Sequence, residues 1–124
     1  MTSSVTRLEG EVMKVNAFIV EGARETVLVD GMLTVTDARK VRDALDVVGK
    51  PLAGVVITHP HPDHYAGTAL IVGDDEVPII ATTEVDAVIR RDDATKEAIV
   101  GPMMGDEWPV ARVFPNQLSA TATP

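Results

Sequence analysis

The segment Thr58-His59-Pro60-His61-Pro62-Asp63-His64-Tyr65-Ala66-Gly67 holds all 3 histidines of the chain. A single histidine is ordinarily a surface or core residue with no special duty. Three of them beside an aspartate suit a metal ion, which needs several neutral imidazoles and carboxylates converging on one point. The spacing serves that need. His59 and His61 stand two apart, so an extended chain points both side chains the same way. Pro60 and Pro62 each push the preceding histidine out of the helical region towards an extended conformation. Asp63 and His64 fall where the next helix begins. The helix dipole there favours an ionised carboxylate and a neutral imidazole, and metal binding needs both.

Immediately upstream, Val55-Val56-Ile57 is a short, continuously apolar run, as in strands buried on both faces. The histidines therefore follow the carboxyl end of a strand, the usual place for a site in an α/β sheet. Before that strand, Ala38, Val41, Ala44, Leu45 and Val48 keep the rhythm of one buried helix face, predicting a helix over about 36–48. Thr34 or Thr36 is its N-cap and Gly49 its stop, with Pro51 marking the break. Further upstream, residues 5–20 alternate as a strand does around Val12 to Val20. Glu21 to Arg24 is a turn, and Thr26-Val27-Leu28-Val29 is a second run ending at Asp30-Gly31. Together these predict a β-hairpin or meander.

Downstream, Tyr65 to Val72 reads as a short helix, Gly73 to Glu76 as an exposed turn, and Val77 to Ala81 as a strand. Thr82 or Thr83 caps a helix to about Arg91, which residues 92–100 can extend. Two glycines and two prolines between Gly101 and Pro109 predict irregular structure. Trp108 and the methionines of that stretch suit either a pocket border or a loop packed over the core. Ser119 to Pro124, small and polar, reads as a frayed end. The order β-β-β-α-β-α-β-α is an α/β pattern. There is no internal repeat or interdomain linker, so residues 1–124 read as one domain.

Bulk properties narrow the function. The chain has 124 residues, 45% of them apolar and 24% charged, as a globular domain with a core requires. Its net charge of −8 and scattered basic residues argue against nucleic acid and against anionic membrane surfaces. Cysteine is absent, so a metal must sit on histidine and carboxylate. The N-terminus lacks the apolar segment of a signal peptide, and no run approaches the ~18 apolar residues of a membrane span. The expected location is cytoplasmic.

The motif His59-x-His61-x-Asp63-His64, followed closely by Gly67, resembles that of the metallo-β-lactamase-fold hydrolases. Val27-Leu28-Val29-Asp30-Gly31 resembles the family's strand ending in aspartate, and Val15 to Val20 the strand before it. The match covers about residues 10–90. This resemblance implies an αβ/βα sandwich, of which the chain holds only the first β/α half. It implies that His59 and His61 bind one metal and Asp63 and His64 a second, with Asp30 orienting ligands from outside the coordination sphere. Taken alone, Asp30 reads equally as an ordinary turn residue beside Gly31. Gly67 reads either as the residue that lets the helix approach the site or as a tolerated small residue.

The same resemblance implies a zinc-dependent hydrolase using one or two ions, iron being an alternative. Metal-activated water would attack a small-molecule ester, thioester or lactam, with Asp63 as the catalytic residue that orients the water. The family's remaining ligands include further histidines, and none follows His64. The alternative function is therefore a non-catalytic truncated fragment with a partial metal site, whose uncovered sheet face drives self-association into a homo-oligomer.

Overall fold

The computed structural model describes residues 4–119. Of the end expected to fray, Ser119 to Pro124, Ser119 closes a short strand and residues 120–124 lie outside the described ones. Six strands form one sheet: β1 (Ser4–Glu9), β2 (Asn16–Glu21), β3 (Thr26–Val29), β4 (Leu52–Val56), β5 (Ile79–Thr82) and β6 (Gln117–Ser119). Their order in the sheet is their order in the chain. β1, β2 and β3 are antiparallel neighbours, and β3 to β6 run parallel. The crossovers carry α1 (Val35–Val48), then α2 (Pro62–Tyr65) and α3 (Thr68–Val72), then α4 (Thr83–Met104). No helix among the described residues is long and apolar enough to cross a membrane.

This winding decides where the core lies. All three parallel crossovers step in the same direction along the sheet. Such crossovers are right-handed almost without exception, so all their helices fall on one face. There, Ile19, Leu28, Val55, Ile79 and Ala81 of the strands pack with Val41 and Leu45 of α1, Ile71 of α3 and Ile89 of α4. The opposite face is also apolar. Phe18 lies opposite Val29, Val29 beside Val56, and Val56 beside Ile80, with Val20 and Val27 paired in the next row. All six are half-buried, and none belongs to the packed core. The continuous apolar run in β4 thus has two faces to serve, one under helices and one open.

Several elements depart from the sequence pattern. Residues 10–15 form a loop between β1 and β2, where alternation predicted strand. The cause lies in α1, where Asp37 is fully buried. Its carboxylate accepts the backbone N–H groups of Glu11 (2.7 Å), Val12 (3.3 Å) and Met13 (3.2 Å). Those groups are unavailable to a neighbouring strand. Thr34 is the N-cap of α1, accepting from Asp37 N–H at 3.1 Å, and Gly49 ends the helix in the left-handed conformation at φ 75°. The predicted helix from Tyr65 to Val72 is two pieces, α2 and α3, separated at Ala66-Gly67.

The largest correction concerns α4. It runs through Gly101 and Pro102 to Met104, and a 3-10 turn follows at Gly105–Glu107. Local punctuation loses here to packing. Trp108 is buried with Leu33 and Ala66, against Val100 and Met104 of the helix. Its Nε1–H donates to Glu97 at 3.1 Å, Arg112 also bonds Glu97, and the Arg112 guanidinium lies 4.9 Å from the Trp108 ring centroid. Glu107 accepts from the N–H and hydroxyl of Thr36 at 2.8 and 2.5 Å, tying the 3-10 turn to the start of α1. The stretch packs over the core. β6 was not expected, since three exposed residues carry no readable periodicity.

Candidate metal centre

The site forms at the carboxyl edge of β3 and β4. Asp30, just past β3, has φ 66°, and Met32 has φ 64°. Residues with a Cβ rarely occupy this region, and each costs of order 1 kcal/mol that surrounding contacts must offset. Three backbone hydrogen bonds do so: Asp30 N–H to Val56 O (2.8 Å), Gly31 N–H to His64 O (2.7 Å) and Gly67 N–H to Met32 O (2.9 Å). Two glycines permit the approach. A Cβ on Gly67 would stand 2.4 Å from the Gly31 carbonyl oxygen, and one on Gly31 would stand 2.3 Å from Thr68 Oγ1. Gly67 is therefore the close-approach residue of the two readings its sequence left open.

The turn delivers a buried carboxylate. Asp30 is 4% exposed. Its Oδ1 accepts Thr58 N–H at 2.8 Å, and its Oδ2 accepts the Thr58 hydroxyl at 2.6 Å. His64 Nδ1 lies 2.8 Å from the same Oδ2. These three hydrogen bonds tie Asp30 to Thr58 and His64, as carboxylates that orient metal-binding histidines are tied. Beside an accepting carboxylate, a neutral His64 would donate from Nδ1 and present the lone pair of Nε2.

The expected quartet divides. The His59 and His64 rings lie 4.5 Å apart between centroids, and ligand atoms of Asp30, His59 and His64 all fall within 4.8 Å of one another. His61 and Asp63 are outside that group. His61 is the exposed, extended N-cap residue of α2, and Asp63 follows Pro62 in its first turn. Asp63 Oδ2 stands 3.8 Å from His64 Nε2. Two imidazoles with carboxylates nearby fit a borderline divalent ion such as zinc, and the engaged Nδ1 of His64 is the arrangement a ligating histidine ordinarily has.

Two residues of the region had not been singled out as site residues. Thr58 touches both Asp30 and His59, its Oγ1 lying 2.8 Å from His59 Nδ1. Tyr65, next to His64, is buried and donates to Asp93 of α4 at 2.7 Å. Burial and that hydrogen bond push its phenol well above the usual tyrosine range. Asp93 also pairs with Arg112 at 3.3 Å, so α2 is pinned to α4 through its last residue. A groove of about 530 Å³, lined by Val72, Val77, Pro78, Val113 and Asn116 among others, opens at the opposite edge of the sheet. It contains none of the histidines.

Comparison with known proteins bears on the family and the fold. The family profile described as metallo-beta-lactamase superfamily matches residues 10–120. No curated protein sequence matches the chain. Among solved structures, the DIM-1 metallo-beta-lactamase aligns with TM-score 0.64 and 14% identity, over 95% of this chain and 47% of that one. A metallo-beta-lactamase from Hirschia baltica aligns with TM-score 0.63 and 15% identity, over 98% and 48%. FIM-1 from Pseudomonas aeruginosa, in its mono-zinc form, aligns with TM-score 0.55 and 21% identity, over 73% and 42%. At such identities the likeness is one of fold, and the chain spans about half the length of these relatives. With the profile covering most of its residues, the chain belongs to the metallo-beta-lactamase superfamily.

Proposed function

We propose that this chain provides half of a zinc-dependent hydrolase acting on a small-molecule ester, thioester or lactam. The observation that carries the reading is the pairing of His59 and His64, rings 4.5 Å apart, over the buried carboxylate of Asp30. When bound, zinc supplies a Lewis acid that polarises the scissile carbonyl and lowers the pKa of water to about 7. His59 and His61 would hold one ion and Asp63 and His64 a second. Asp63 would also orient the attacking water by accepting its hydrogen bond. Iron suits the same donors. The net charge of −8 and the scattered basic residues fit a small-molecule substrate better than a nucleic acid.

Catalytic zinc ordinarily takes three protein ligands and a water. The four candidates divide two and two between the ions, so this chain alone is expected to bind zinc weakly and to turn over substrate near background. Titrating metal-free protein with zinc, while assaying a thioester and a lactam, tests this. Chelator-sensitive binding supports the reading. Absence of binding with His59 and His61 intact would make the motif an inherited scaffold.

The open sheet face favours a second reading, a fold fragment that self-associates without catalysis. Six half-buried apolar side chains in two adjacent rows form a patch that water covers poorly. The two readings part on turnover by the associated form.

A further inference from the structure

We propose that Thr58 is a positioning residue that fixes the tautomer of His59 through Asp30, so that His59 and His64 each present Nε2 for metal binding. The metal itself rests on the function proposed above; the tautomer does not.

The argument counts protons. A threonine hydroxyl has one proton to donate and lone pairs to accept with. Thr58 Oγ1 lies 2.6 Å from Asp30 Oδ2, and an ionised carboxylate only accepts. The hydroxyl proton therefore points at Asp30. What Thr58 Oγ1 turns to His59 Nδ1, 2.8 Å away, is a lone pair. Nδ1 must then carry hydrogen, and the lone pair of His59 is left on Nε2. His64 arrives at the same state by donating its Nδ1–H to Asp30 Oδ2 directly, at 2.8 Å. One buried carboxylate thus sets both rings, one by contact and one through a hydroxyl.

The relay is held in place. Thr58 N–H also donates to Asp30 Oδ1 at 2.8 Å, so the residue is tied to the carboxylate by backbone and side chain together. Its β-branched side chain restricts χ1, which keeps the hydroxyl on line. Without such a contact, a neutral histidine in water prefers the proton on Nε2, the atom a metal would need bare. Thr58 therefore removes a competing tautomer before a metal arrives.

The test compares the full chain with Thr58→Val and Thr58→Ser. Long-range proton–nitrogen NMR on the metal-free protein, with imidazoles neutral, reads the tautomer of each histidine. Wild type and Thr58→Ser are expected to show His59 with Nδ1–H, and Thr58→Val to shift towards Nε2–H while His64 is unchanged. Zinc titration is expected to weaken by about 10–100-fold in Thr58→Val and to recover in Thr58→Ser, as for other outer hydrogen-bond partners of ligands. Wild-type His59 with its proton on Nε2 overturns the proposal, and needs no variant to fold. An unchanged His59 tautomer in folded Thr58→Val overturns it as well. If wild type binds no zinc, the hydrolase reading fails, and the NMR result alone decides the role of Thr58.

Discussion

Asp30 occupies a backbone region that suits glycine, yet a glycine there would lose every contact that orders the histidines. Asparagine tolerates the same conformation, so Asp30→Asn separates the carboxylate from the turn. Its amide has one accepting oxygen, which can serve the Thr58 hydroxyl and His64 or Thr58 N–H but not all three, because the other position becomes an N–H donor. Zinc affinity is expected to fall by about 10–100-fold with the circular dichroism spectrum unchanged. Gly67→Ala tests the approach of the two loops. A Cβ 2.4 Å from the Gly31 carbonyl and 2.9 Å from Ala38 Cβ forces the backbone apart. Urea unfolding is expected to show a loss of about 1–3 kcal/mol. At this scale the sequence was readable where residue types were rare: the clustered histidines announce themselves, though only His59 and His64 come together with Asp30, and Asp30 itself was pointed to by the family resemblance, since its place in a turn left it open. Thr58 was not, because threonine beside a strand end is commonplace. Its role depends on a carboxylate 28 residues away.

Helix α1 shows how one side chain redirects an element. Burial pushes the Asp37 carboxyl up, but the N–H groups of Glu11, Met13 and Val12, together with Thr34, hold it below the usual carboxylate range. A carboxyl depressed in the native state stabilises the fold above its unfolded value of 3.8, and that contribution disappears as pH falls through the native value. Asp37→Asn is expected to blunt this part of the acid unfolding curve. Asp37→Ala should lose about 2 kcal/mol at neutral pH and loosen residues 10–15 to hydrogen exchange. The helix itself was legible through its apolar rhythm, its cap at Thr34 and its stop at Gly49. The loop that it holds was not, since alternation of side chains says nothing about where backbone N–H groups go. The same holds for α4, whose last turns survive Pro102 because Trp108 packs across Leu33 and Ala66. Trp108→Ala is expected to destabilise by about 3 kcal/mol in thermal melts.

For the whole molecule, the α/β class followed from alternation of strand and helix patterns, but the face left bare could not be read from any one segment. It results from three crossovers wound in one sense. Phe18, Val29, Val56 and Ile80 then share a row with no helix over them. Light scattering is expected to show self-association, reduced in Val56→Lys, whose charge would sit in the middle of that row. A monodisperse monomer that binds no hydrophobic dye would count against the patch being exposed. The chain order of the strands has a kinetic consequence too. Every strand pairs with the one synthesised just before it, so a ribosome hands each new strand to the edge its predecessor left open. Asp30 meets Thr58 after 28 further residues and His64 after 34. At cellular elongation rates the carboxylate thus stands without its histidine for roughly 2–7 s, an interval in which the nascent turn must do without the contacts that later hold it.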